Sequence, residues 1–332
     1  KAGAGESDLQ ARDIQFNNYT FLKKAEKTNN FKTYLWRTAR GSHIALYPNL
    51  NVTDPVWRQL FRDVRFRRAL SMSIDRAQVN QVLYFGLATE SNNTVVPDSP
   101  LFKKEYQTLW TKFDRKAADR LFDEIGLKRG PDGIRRLSDG RPLEIIVETA
   151  GESTEQTDVL ELIRENWREV GIKLFSKPSQ RDVLRNRVFS GEAMMSVWPG
   201  LDNGMPTADT APDELAPKDQ AQLQWPKFGQ YFETAGKMGE APDIPQAAEL
   251  MKLWESWRGA NSEERARIWH RMLAIHAEQQ FTIGIVNNVM QPVVVNNALK
   301  NVPEKGLYNW DPGAFLGIYH PDMFWFTDER RN

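Results

Sequence analysis

The residues best equipped to hold a guest molecule lie in Trp198-Pro-Gly-Leu-Asp202-Asn203-Gly204-Met-Pro206, directly after the apolar run 193–198. An indole offers a flat apolar face, and a carboxylate can pair with a ligand cation. Residues at the carboxyl end of a strand in an α/β domain are where ligands collect. Asp202 with Asn203-Gly204 equally fits an Asx-turn, in which the side chain serves its own backbone. Further on, Trp225, Phe228 and Tyr231 occupy a Pro- and Gly-rich stretch. Their rings can stack on a peptide plane or a sugar, or can simply pack the loop. Arg185 and Arg187 can clamp a carboxylate through paired hydrogen bonds, although a solvated helix face explains them as well.

Catalytic arrangements are missing. There is no cysteine, which excludes disulfides, thiolate chemistry and zinc sites built on Cys. His43, His270, His276 and His320 are scattered, and His270 and His276 miss the i, i+4 spacing that aligns two imidazoles. No metal and no cofactor are expected. The chain has no G-x-S-x-G, and Gly191-Glu-Ala and Gly3-Ala-Gly are too short to cradle phosphate. Two carboxylates facing across an aromatic cleft would make a glycoside hydrolase, which is the alternative outside the binding class.

The elements that must position these residues alternate in type. The run 193–198 reads as a strand and 181–189 as the helix before it. Residues 172–175 are a strand, and 154–170 a helix burying Leu160, Ile163 and Trp167, stopped by Gly171. Before these come a strand at 143–148 and a helix capped by Asp114, which buries Phe122 and ends at Gly126. Asp132-Gly133 and Asp139-Gly140 signal turns about a hairpin at 134–137. Nearer the start, 13–30 reads as a helix, and 31–38 and 43–49 as paired strands about Gly41. Asp63 caps a helix burying Phe66, Ala69, Leu70 and Ile74, with Arg65, Arg67 and Arg68 on its other faces. Asp75 caps the next, which buries Val79, Val82 and Leu83 and stops at Gly86. The stretch 199–245 loses all periodicity and reads as an ordered, ligand-facing loop. Helices at 246–258 and 262–280 follow, the second opening on Ser262-Glu263-Glu264 with its acids one place early for a capping box. Strands at 282–287 and 291–296 and an aromatic tail close the chain. Such alternation indicates an α/β layered domain.

Lys and Arg total 44, as do Asp and Glu. This balance excludes nucleic acid as a main partner, since phosphate neutralisation needs a basic excess. No apolar run reaches the roughly 18 residues of a membrane span. The chain opens on Lys1 with polar sequence that does not read as a signal peptide.

The order Asp63-Val-Arg-Phe-Arg-Arg-Ala-Leu-Ser-Met-Ser-Ile-Asp-Arg76, followed by Gly86 and a loop to Pro97, resembles a family. That family is the peptide-, dipeptide-, oligopeptide- and nickel-binding solute receptors of ABC importers. Gly5-Glu6-Ser7-Asp8 and the run Arg265 to Val286 resemble other family stretches. The resemblance covers nearly the whole chain but only the later half to two-thirds of a member. It implies a lobe like that of type II periplasmic binding proteins, α/β with a mixed sheet flanked by helices. Residues 1–60 would be first-lobe segments and hinge, 61–285 the second lobe, and 286–332 the return and tail. It further implies a monomeric periplasmic receptor that closes over a small solute and hands it to the transmembrane permease subunits. Peptides are the expected solutes, with oligosaccharides the rival; nickel is disfavoured by the histidine pattern. In the matching stretch of peptide-binding relatives the Asp holds the terminal ammonium and the Trp packs on the ligand backbone. Those roles carry over to Asp202 and Trp198. Here one additional residue separates the two, and the loop after them is longer. With one wall of the cleft half-built, the chain alone is expected to bind ligand weakly or not at all.

Overall fold

The computed structural model describes residues 1–327. Its largest sheet runs in the order Thr89–Glu90, Ile283–Asn287, Ile44–Pro48, Met195–Trp198, Glu144–Thr149, Lys173–Pro178. The last three pair in parallel, as helical crossovers require, and the others are antiparallel. The central strands are buried on both faces, which accounts for their continuous apolar character. Ile44–Pro48, assigned by sequence to the first 60 residues, is thus a central strand of the large sheet.

A second sheet of three strands, Leu9–Gln10, Met290–Asn296 and Phe31–Arg37, gathers both ends of the chain. The chain crosses between the sheets twice. One crossing is residues 38–43 and the other is the turn at Asn288, whose backbone is left-handed. The small unit keeps its own core of Ala11, Trp36, Val293, Val295 and Tyr308.

The helix expected after Asp63 forms as Val64–Met72, and its cap accepts the Arg65 amide. Arg67, however, is sealed rather than solvated. Its guanidinium donates to the carbonyls of Phe61 and Gln279 and lies 5.2 Å from the Phe281 ring. A buried guanidinium persists only when fully hydrogen-bonded, a condition a helical wheel cannot reveal. Asp75 and Asp114 cap their helices as read. Val82, expected inside, is exposed. The expected helix 13–30 is shorter, with its α-helical part at Tyr19–Ala25. The expected hairpin at 134–137 is reduced to isolated bridges. The final long helix, Ser262–Gln279, is capped by Asn261, and Glu264 completes the capping box. Counting from Asn261 instead of Ser262 removes the one-residue mismatch.

The stretch 199–245 is ordered. It carries the 3-10 turn Asp213–Leu215 and the helix Pro226–Glu233, whose proline sits in the first turn, where its missing N–H is not needed.

Candidate functional site

Strand Met195–Trp198 pairs antiparallel with Ile44–Pro48, so Trp198 lies opposite Ala45. Both strands point the 198–202 segment and residues 40–43 into one open cleft of about 500 Å3. Trp198 is half-buried on its wall, with the Arg181 guanidinium 5.4 Å from its ring. Arg181 is in turn paired with Glu152, also on the wall. The chain turns here because Gly200 has no side chain: a Cβ would sit 2.1 Å from the Asn93 amide oxygen. That oxygen accepts the Leu201 N–H at 2.8 Å.

Asp202 also lines the cleft. Its carboxylate faces Arg40, with Nε 3.7 Å from Oδ1, and its carbonyl accepts from Asn309. Below it Glu214 accepts two backbone N–H groups, from Asp202 at 2.8 Å and from Asn203 at 3.3 Å. The Asx-turn anticipated at Asp202 belongs to Asn203, whose side chain accepts the Met205 N–H. Asp202 is therefore free of that local duty. Burial pushes the Asp202 carboxyl up; Arg40 opposes this and Asp311 adds to it. Burial also raises Glu214, against the pull of its two amide donors, and the charges of Asp202 and Asp311 reinforce the rise. Three carboxylates thus lie within electrostatic reach of one another, and Arg40 faces one of them, Asp202.

Farther in, the cleft is bounded by Tyr47, His276, His43 and Glu155. The Tyr47 hydroxyl donates to the Pro199 carbonyl at 2.6 Å, and burial raises its pKa. Burial lowers His276 to about 4, so its ring is neutral near pH 7, and Nε2–H donates to the Leu215 carbonyl. His43 Nε2 meets Glu155 Oε2 at 3.1 Å. Burial opposes ionisation of Glu155, but His43, Tyr84 and Arg40 outweigh it and its pKa is lowered.

A second cleft of about 610 Å3 opens between the two units, walled by Gln15, Thr38, Gln291 and Tyr308 among others. It shares Arg40, His43, Glu152, Ser153 and Glu155 with the first.

Several sequence candidates fall elsewhere. Trp225 and Phe228 are completely buried. The Trp225 ring packs edge-on against His276 and Phe281 and its N–H donates to Gln222. Phe228 lies under Arg62. Neither lines the cleft: residues 199–202, 214 and 221–224 of this segment do, while Trp225 and Phe228 pack into the large core. Tyr231 is partly exposed on the same short helix, beside Gly236, and does not line the cleft. Arg185 is exposed and also outside it. Arg187 is engaged with the buried carboxylate of Glu148, two of its nitrogens lying 2.9 to 3.1 Å away. Neither arginine lines the cleft, and Arg187 is held by Glu148.

Sequence reading missed Arg40, His43, Glu152, Glu155 and Glu214. A usable signal existed: Glu152 and Glu155 follow the carboxyl end of strand Glu144–Thr149, the same position that marked Trp198. Among the described residues no group of His, Asp and Glu is arranged to hold a metal, and no helix is long and apolar enough to cross a membrane.

A mixed sheet of this order, joined by two crossings to a smaller sheet, is the architecture of a type II periplasmic binding protein. Residues 4–222 match the model of the bacterial extracellular solute-binding proteins, family 5, middle part, and the chain belongs to that family. The oligopeptide-binding protein OppA is 26% identical, with a TM-score of 0.74 over 98% of this chain and 54% of that one. The periplasmic binding protein MelB of Agrobacterium fabrum, solved with stachyose, superposes with a TM-score of 0.78 at 18% identity. It covers 99% of this chain and 50% of its own. A periplasmic alpha-galactoside-binding protein of Rhizobium meliloti is 21% identical over 93% of this chain and 46% of its own length. The chain spans about half the length of these relatives.

Proposed function

We propose that this chain is the greater part of the solute-binding half of an extracytoplasmic receptor for peptides, which it delivers to the transmembrane subunits of an ABC importer. The observation that carries the reading is the charge deficit at the cleft mouth. Burial and the charge of Asp311 push Asp202 up, and burial and the charges of Asp202 and Asp311 push Glu214 up, while Arg40 stands 3.7 Å from Asp202 alone of the three. A ligand ammonium entering beside Asp202 would relieve that repulsion and gain a charge-assisted hydrogen bond. The Trp198 face would carry the adjoining backbone plane. Closure of one unit on the other about residues 38–43 and 288–289 would then trap the solute, with ligand selecting the closed state.

An oligosaccharide reading is favoured by a different observation. Asn93, Gln156, Gln222 and Gln224 line the cleft alongside Trp198, and an aromatic face ringed by amides suits a sugar ring. The relatives named for alpha-galactosides and solved with stachyose support it. Thermal-shift screening of the full-length protein against peptide and oligosaccharide panels tests both. Stabilisation by peptides alone supports the first reading, by sugars alone the second, and by neither rejects both.

A further inference from the structure

The two clefts meet at five shared lining residues, Arg40, His43, Glu152, Ser153 and Glu155. His43 and Glu155 line both cavities and meet at 3.1 Å, with only 18% and 12% of their side chains exposed. The pair is braced from behind. Tyr84 is buried and presents its ring to His43 edge-on, 5.9 Å away and at 84°. Phe16 packs against Tyr84 in turn, with ring centroids 6.4 Å apart. Glu155 lies in the first turn of helix Thr154–Glu169, where the helix dipole favours a negative charge. Ser153 caps that helix and receives a hydrogen bond from Gln15 across the second cavity. The pair is thus held by ring packing on His43 and by the helix start under Glu155, while His43 Nδ1 and the Tyr84 hydroxyl are buried without a hydrogen-bond partner.

We propose that the His43–Glu155 pair is a length stop: it confines a solute to the first cavity and excludes longer members of the same chemical series from the second. This rests on the solute-binding reading above and adds the residues that set ligand size. A pocket of about 500 Å3 lies in the lower part of the usual range of roughly 300–1,000 Å3. Joining it to the second cavity would more than double the room. A longer ligand passing between the cavities at this point displaces a largely desolvated hydrogen-bonded pair, and opening it leaves buried polar groups without their partners. The clean variant therefore removes both partners at once.

The test is isothermal titration of the full-length protein with two ladders, peptides of two to six alanines and α-linked galactosides of two to four units. In the unmodified protein affinity should drop about tenfold or more at one step of whichever ladder binds. The double variant His43→Ala/Glu155→Ala should keep the short members within about threefold and bind the longest about tenfold more tightly than the parent does. Adding Arg12→Trp, an exposed position that lines the second cavity, should erase that gain. Glu155→Gln, which keeps the bulk, should preserve the parental cut-off. Arg12→Trp in the unmodified background should leave every member unchanged, so the idea stands or falls even if the double variant does not fold. An unaltered length profile in a folded double variant overturns the stop, as does weakening of long ligands by Arg12→Trp alone. Failure of the unmodified protein to bind either ladder rejects the solute-binding reading, and the stop with it.

Discussion

Trp198 and Trp225 lie on the same stretch of chain, yet the fold treats them oppositely. Trp198 ends a central strand and keeps one face on the cleft, under Arg181. Trp225 precedes a short helix, is wholly buried, and meets only His276, Phe281 and its neighbours. Aromatic density alone therefore did not mark the cleft-lining side chain. Position relative to the carboxyl end of a strand did, because there the backbone must turn away and leaves an open edge.

The sharpest way to break this contrast is to truncate both rings. Trp225→Ala should cost about 3–5 kcal/mol of stability through the cavity it leaves, read as a lower denaturant midpoint. A variant as stable as the parent would mean that the Trp225 ring is not part of the core. The next effect comes from acid. His276 sits beside Trp225, and its pKa is lowered to about 4. The unfolded chain takes up a proton that the folded one refuses, so stability is full above about pH 6.5 and declines as pH falls. The loss should level off near pH 4 after about 3 kcal/mol. Chemical denaturation across that range should find this limb, and His276→Gln should flatten it.

The arginines sharpen the same division. Arg187→Ala strands the buried Glu148 carboxylate and should cost about 2 kcal/mol, less than a fully sealed pair because Arg187 is partly solvated. Arg185→Ala should stay within about 0.5 kcal/mol. Equal effects would contradict the assignment of one to the fold and the other to the surface. Trp198→Ala should cost only about 1 kcal/mol of stability, yet it should weaken solute binding by tenfold or more as a truncated contact ring does. Unchanged affinity would remove Trp198 from the site.

Much of this was legible beforehand. Capped helices at Asp63, Asp75 and Asp114 and the strand ending at Trp198 follow from local chemistry, which a single chain displays in order. What stayed hidden depends on pairing between distant segments. Ile44–Pro48 could not be placed at the centre of the large sheet until its partners Met195–Trp198 and Ile283–Asn287 were known. Arg67 could not be read as buried without the Gln279 carbonyl, which lies on the far side of the sequence. His43 looked like a stray histidine because its partner, Glu155, is 112 positions away. Glu214 was lost in a loop with no periodicity, and its role follows from two backbone amides that reach it only in the folded chain.

The central claim, that the acidic mouth around Asp202 receives a ligand ammonium, has a direct test. Calorimetric titration of the full-length protein would compare one peptide with its amino terminus free and the same peptide acetylated there. The free form should bind at least about tenfold more tightly, and Asp202→Ala should bring the two together. Equal affinity for both forms in the unmodified protein, or a preference that survives Asp202→Ala, would contradict it.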